Sequence, residues 1–251
     1  MRVHVLGSSG GYPVPGNPCS GFLLEKEAAR IWIDAGTGTM AAVQEHVSLE
    51  RLDGIVVSHA HADHCADLLT LLVALRFQLD GIPRRKPLWA PREVWDVLPR
   101  FLDPRGAGIL KMEEAFDFHP VEAGSEADIF GVHCRFIRTA HPVETLALRA
   151  EAGGAALVYT ADTGPAVDLA GFAQGAGLFL CEATYQDALM GAPVHLSARQ
   201  AGDLARRAGV RRLALTHLWP TLDPEVSLRE ARAAAGDVPV ELARAGTAFE
   251  I

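Results

Sequence analysis

Lysine and asparagine are scarce in this chain, with three Lys and one Asn among 251 residues. There is no excess of positive charge. Lys and Arg together number 23 against 31 acidic residues, a formal net of -8. That balance argues against a protein whose main task is to wrap nucleic acid, although one local site could still hold a nucleotide or RNA. Cysteine is sparse too. Cys19, Cys65, Cys134 and Cys181 form no Cys-x-x-Cys pair, so reduced thiols with packing roles are expected. No apolar run is long enough to span a bilayer. The longest, Leu68–Leu79, is interrupted by Arg76 and Gln78. The opening Met1–Gly7 alternates like a strand and does not read as an export signal, so a cytoplasmic location is expected. No Ser/Gly/Pro linker, charge block or repeat divides the chain, and 1–251 reads as a single domain.

What is present is a succession of short β-type runs. Val3–Leu6, Phe22–Leu24, Ile31–Ile33 and Gly54–Ser58 open the chain. His133–Thr139, Ala156–Thr160, Leu178–Cys181 and Arg212–Thr216 follow, and Val238–Ile251 holds one or two closing strands. Helices are expected over Ala62–Leu79 and from Pro91 to about Leu98. Ser197 is a good N-cap for a helix over Ala198–Ala208 that Gly209 ends, and Pro224 begins one that runs to about Ala235. Such a mixture suggests sheets covered by helices, an α/β (α+β) fold.

The strongest chemical signal is Ser58-His59-Ala60-His61-Ala62-Asp63-His64, directly after a buried strand. The period of two lets His59 and His61 point to one side, while Asp63 and His64 sit where a helix begins. Three imidazoles and a carboxylate crowded together are unfavourable without a cation, and zinc takes such ligands at about 2.0–2.2 Å. His141, Asp162 and His217 each follow another apolar run. Seven ligands suffice for two metals with one group shared. His59, His61 and His141 would hold one ion, Asp63, His64 and His217 the other, and Asp162 would bridge them.

His-x-His-x-Asp-His with a later His, Asp and final His resembles the metallo-β-lactamase fold superfamily. The resemblance implies a four-layer αβ/βα sandwich with metals between the sheet edges. It also implies two divalent cations, zinc first, with manganese or iron as alternatives. A second motif, Leu180-Cys181-Glu182-Ala183-Thr184-Tyr185 followed by His195-Leu196-Ser197 and Gln200-Ala201, resembles the ribonuclease Z group and related phosphodiesterases. There a Glu and a His act together beside the metals, so Glu182 and His195 are carried over as a catalytic pair. Gly7-Ser8-Ser9-Gly10-Gly11 resembles that group's glycine-rich loop. It is read either as a phosphate-side loop or as a plain strand-to-strand turn. Asp34 matches the family's first motif and is read as a carboxylate supporting a metal-binding His.

One departure bears on substrate. The family's long arm for the transfer-RNA body would lie between His141 and Asp162, where only twenty residues stand. Arg84-Arg85-Lys86 is a local basic cluster, read as phosphate-facing or as solvated surface. The expected function is therefore a metal-dependent hydrolase of small phosphodiesters such as cyclic nucleotides. Its nucleophile is a hydroxide between the metals, its proton donor is His195, and Asp63 could orient the nucleophile. The alternatives are a ribonuclease Z-type RNA 3'-end nuclease without its arm, a thioester or lactone hydrolase, and a non-catalytic metal-binding protein. The apolar circumference of Ala62–Leu79 and the family resemblance together suggest a homodimer.

Overall fold

The computed structural model describes residues 1–77, 85–102, 111–189 and 192–251. Gln78, Leu79 and Arg84, used above, lie outside them. The first half of the chain runs β1 (Arg2–Gly7), β2 (Gly21–Lys26), β3 (Ala29–Ile33), α1 (Thr39–Val43), β4 (Gly54–Val56), α2 (Ala62–Cys65), α3 (Asp67–Phe77), β5 (Lys86–Ala90), α4 (Arg92–Leu102), α5 (Met112–Ala115) and β6 (Phe116–Pro120). The second half runs β7 (Glu126–Ile129), β8 (Val132–Arg138), β9 (Leu146–Ala152), β10 (Ala155–Tyr159), β11 (Leu178–Glu182), α6 (Ala198–Ala208), β12 (Leu213–Thr216), α7 (Pro224–Ala235), β13 (Val240–Leu242) and β14 (Ala248–Glu250). The strands form two seven-stranded sheets, in the orders β14-β1-β2-β3-β4-β5-β6 and β13-β12-β11-β10-β9-β8-β7.

The layering follows from the period of two along each strand. In the first sheet Val3, Val5, Phe22, Leu24, Ile31, Ile33 and Val56 face the second sheet. Their alternates Leu23, Trp32, Ile55 and Val57 face α3 and α4. In the second sheet Leu157, Tyr159, Leu178, Leu180 and Ala214 face inward, while Val158, Phe179, Leu213 and Leu215 pack under α6 and α7. Both faces of each sheet are apolar, so each needs a cover on both sides. The result is the four-layer αβ/βα sandwich implied by the resemblance. Among the described residues no helix is long and apolar enough to cross a membrane.

The α6 and α7 helices match their expected bounds. Ser197 and Gln200 form a reciprocal capping box, and Gly209 closes α6 in the left-handed conformation. The expected helix over Ala62–Leu79 is instead two, divided at Ala66. Ala35 donates to the His64 carbonyl at 2.7 Å and Asp67 donates to the Ala35 carbonyl at 2.9 Å. That clamp holds the short first helix against the loop after β3. Gly36 allows the approach, because a β-carbon there would stand 2.1 Å from the Asp63 carbonyl oxygen. Gly36→Ala is expected to cost about 1–3 kcal/mol, the range for overpacking a tight contact, and thermal unfolding would register it.

The closing strands part company: β13 pairs with β12 in the second sheet, and β14 pairs with β1 in the first. All four cysteines are buried and free, as their expected packing role requires. Burial pushes the Cys65 and Cys134 thiols up to about 12, which makes them poor nucleophiles.

Candidate metal centre

The polar residues gather where strands of both sheets end. His59 follows β4, His141 follows β8, Asp162 follows β10 and His217 follows β12. Strands β10, β11 and β12 are parallel and in register, with Tyr159 opposite Leu180 and Glu182 opposite Thr216, so their carboxyl ends present side chains at one level. Asp34, Ala161 and His217 have φ of 55°, 50° and 53°. Left-handed backbone at non-glycine residues costs of order 1–3 kcal/mol each and persists only where the surroundings impose it. All three lie just beyond strand ends at this centre, where they turn the chain out of the strand direction.

The structure brings together all seven residues that the sequence singled out. His59, His61, His141 and Asp162 form one group, with Asp63, His64 and His217 a second beside it. The His61 Nδ1 atom lies 3.2 Å from both His59 Nε2 and His141 Nε2. Asp162 Oδ2 is 3.6 Å from His59 Nε2 and 3.8 Å from His141 Nε2. Its other oxygen, Oδ1, is 3.2 Å from His64 Nε2 and 3.4 Å from His217 Nε2. Asp63 Oδ2 completes the second group, 3.1 Å from His217 Nε2 and 3.6 Å from His64 Nε2. Asp162 thus turns one oxygen to each group.

These separations fit a cation better than they fit mutual hydrogen bonds. Ligands about 2.0–2.1 Å from a shared ion stand roughly 2.8–3.4 Å apart in octahedral or tetrahedral geometry. His64 Nε2 and Asp162 Oδ1 are buried without a hydrogen-bond partner, although they are near neighbours. They are aimed past one another, as two ligands of one ion would be. The nitrogen and carboxylate donor set suits a divalent ion and would accept zinc, manganese or iron.

The tautomers follow from what stands behind each ring. Ser58 Oγ donates to Asp34 Oδ2 at 2.8 Å, which leaves it to accept from His59 Nδ1 at 3.0 Å. Thr184 Oγ1 donates to Glu182 Oε2 at 2.8 Å and likewise accepts from His217 Nδ1 at 2.8 Å. His141 Nδ1 donates to the Val194 carbonyl at 3.1 Å, and His64 Nδ1 to Asp34 Oδ2 at 2.8 Å. Every one of these four rings therefore carries its proton on Nδ1 and leaves Nε2 free as a ligand. Asp34 is the hub, as it also accepts from Ser58 N at 2.7 Å and from the Tyr159 hydroxyl at 2.8 Å. The glycine-rich loop lies against the same centre, with Gly11 N donating to Asp63 Oδ2 at 2.8 Å.

Electrostatics agree. Burial, aided by nearby His64, pushes His59 well below the ordinary imidazole value. Burial pushes His64 the same way, but the carboxylates of Asp162, Asp63 and Asp34 outweigh it and raise the ring well above that value. Burial raises the Asp63 and Asp162 carboxyls, yet the facing His64 and His217 hold both below the usual carboxylate range. Clustered buried carboxylates demand positive charge. A divalent ion meets that demand while the imidazoles stay neutral.

His195 and Glu182 meet beside this cluster. His195 Nδ1 donates to Glu182 Oε1 at 2.9 Å, and a ring nitrogen of His195 lies within 4.8 Å of ligand atoms of Asp162 and His217. Glu182 is fully buried and also accepts from Thr163 N at 2.6 Å, Leu196 N at 3.2 Å and Thr184 Oγ1. The segment carrying His195 is tied to β11's exit by Tyr185 N to the Leu196 carbonyl and Ala198 N to the Tyr185 carbonyl. Solvent reaches the centre at His61 and at His195.

The basic cluster goes elsewhere. The Lys86 side chain is buried, with Nζ donating to the Glu50 carbonyl at 3.1 Å and also to that of Leu52. Arg85 donates to Asp117 at 3.0 Å. Lys86 is therefore neither solvated nor phosphate-facing, whereas Arg85 is the solvated surface charge that one of the two readings expected, its side chain 54% exposed. The supporting roles of Tyr159, Thr184 and Gly11 were not foreseen. Only Ser58, adjacent to the His motif, carried a local signal.

Comparison with known proteins matches this arrangement. A family model described as a beta-lactamase superfamily domain matches residues 29–218. Uncharacterized protein Rv1339 of Mycobacterium tuberculosis is 36% identical over the whole chain and 92% of its own length. The probable metallo-hydrolase YhfI of Bacillus subtilis is 28% identical over the whole of both chains. A Mycobacterium bovis ribonuclease Z is 28% identical over 89% of this chain and 88% of its own. The crystal structure of Bacillus subtilis YhfI superposes with a TM-score of 0.86 at 25% identity, covering 99% of each chain.

Proposed function

This chain belongs to the beta-lactamase superfamily, and we propose that it is a binuclear metal-dependent phosphodiesterase of small phosphodiesters such as cyclic nucleotides. The observation that carries this is the His195–Glu182 pair set beside a seven-ligand centre. Ester hydrolysis in general needs an activated water. A phosphodiester with an alkoxide leaving group also needs a proton donor on the far side, and the pair supplies one. We take residues 1–251 as one catalytic domain, supported by an inter-sheet core that includes both Val3 and Phe249.

His59, His61 and His141 would hold one ion, Asp63, His64 and His217 the other, with Asp162 shared. Ions held there would lower the pKa of water toward neutrality and neutralise the non-bridging phosphate oxygens. The chain's own residues do the rest. Glu182 holds the His195 proton on Nδ1, and with the ring protonated Nε2 can donate to the leaving oxygen. Asp63, oriented by Gly11 N, offers a carboxylate edge to the attacking group. Asp34 fixes His64 and, through Ser58, His59. Asp34→Asn is therefore expected to weaken metal binding about 10–100-fold, the usual effect of losing such a partner. A competition titration with a chelating indicator would measure it.

The related ribonuclease Z keeps RNA processing as the second reading. Against it, β9 and β10 fill the interval from His141 to Asp162 as a tight hairpin, with Ala152 opposite Ala155. A panel of bis(4-nitrophenyl) phosphate, cyclic nucleotides, a precursor transfer RNA and a thioester tests the proposal on metal-loaded protein. Phosphodiester turnover well above thioester turnover is expected, and the reverse order would overturn it.

We also propose a homodimer. Helix α3 buries Leu68, Leu71, Leu72 and Leu75 against the first sheet but leaves Val73 and Phe77 exposed on its other side. Light scattering at micromolar concentration should give twice the chain mass, and a monomer alone would refute it.

A further inference from the structure

A cavity of about 430 Å³ opens beside His195. Its walls include Tyr185 and Trp219, and Thr184, Val194, Thr221 and Leu222 complete the lining with His195. Among the described residues His195 is the one lining residue with an imidazole, and no acidic, lysine or arginine side chain joins it. The cavity is therefore unsuited to a second phosphate and suited to a flat, uncharged group.

Trp219 is built for such a contact. It is 40% exposed, yet its indole is held from behind. A β-carbon at Gly11 would stand 2.9 Å from Cζ3 of the ring, so only glycine lets the indole lie there. Tyr12 packs edge-on against it, with centroids 5.9 Å apart. Leu222 N donates to the Trp219 carbonyl at 3.0 Å, closing a turn with Pro220 at its second position. Tyr185 stands edge-on to His195 at 5.7 Å, and its backbone is paired with the segment leading into α6. Both aromatic residues are thus positioned before any ligand arrives, which lowers the ordering cost of binding.

We propose that this cavity is a nucleobase subsite, and that the substrate is a mononucleotide diester whose base stacks between Trp219 and Tyr185. The proposal rests on the phosphodiesterase reading, because it places the leaving alkoxide at His195 and so directs the nucleoside toward these walls. The aromatic faces would accept any base, since stacking is tolerant of sequence.

Calorimetry on metal-loaded protein tests it with two probes that share a sugar phosphate, adenosine 5'-monophosphate and ribose 5-phosphate. The wild type should prefer the former by about 5- to 100-fold, the range for stacking one base on aromatic side chains. Trp219→Ala should bring the ratio close to one, and Trp219→Phe should keep most of it. Equal affinity in the wild type, or an unchanged ratio in Trp219→Ala, would overturn the subsite. Turnover of bis(4-nitrophenyl) phosphate by the wild type is scored separately. Its absence with the affinity ratio intact would remove the phosphodiesterase reading and leave the base subsite standing. A precursor transfer RNA cleaved more efficiently than cyclic AMP would assign the cavity to an RNA end and overturn the mononucleotide substrate.

Discussion

In a His59→Ala variant, hydrolysis of every phosphodiester should collapse together with the metal content. His59 is fully buried, and its Nε2 faces His61 and the shared Asp162. Loss of an outer partner typically costs 10–100-fold in affinity or activity, so loss of the ligand proposed here should exceed about 10³-fold. The fall should be of similar size for good and poor leaving groups, because the missing function precedes bond cleavage. Elemental analysis alongside turnover makes the check. A variant that kept two ions per chain and near-normal rates would remove His59 from the ligand set.

His195→Ala should behave differently. The fold and the metals should survive, since His195 is partly exposed and its loss leaves Glu182 with the donors Thr163, Thr184 and Leu196. Cyclic nucleotide hydrolysis should fall by about 10²–10⁴-fold, the range for a lost general acid, because a ribose alkoxide leaves poorly without a proton. A nitrophenolate leaves readily, so bis(4-nitrophenyl) phosphate should be cleaved at a rate close to that of the wild type. Glu182→Gln should follow the same pattern, since an amide turned the wrong way would place a donor against the His195 Nδ1 proton. Equal losses on both substrates would make His195 a ligand or a structural residue.

Much of this molecule was legible along the chain because the relevant partners are close in sequence. Short apolar β-type runs marked most strands, including β1, β3, β10 and β11, with alternation evident in β1. Ser197 and Gly209 marked both ends of α6 because capping involves residues within one turn. The His-x-His-x-Asp-His run placed four potential ligands at one strand exit, so a cation was implied before any coordinates. β5, β6 and β7 were missed: Lys86–Ala90, Phe116–Pro120 and Glu126–Ile129 are short and weakly patterned. The division of Ala62–Leu79 was also invisible, because the clamp that makes it comes from Ala35, distant in sequence.

The sequence by itself determined which residue types are available for metal and proton chemistry and which strands carry them. Only the tertiary structure decided their protonation and aim. The Asp34 carboxylate collects Ser58 from beyond β4, His64 from α2 and Tyr159 from the end of β10. Thr184 links Glu182 to His217, joining the His195–Glu182 pair to the His/Asp cluster through one hydroxyl. The aromatic cavity exists because Gly11 lets Trp219 lie where any side chain would block it. Hydrogen-bond direction and steric room depend on which surfaces meet in space, and spacing along a chain does not specify that.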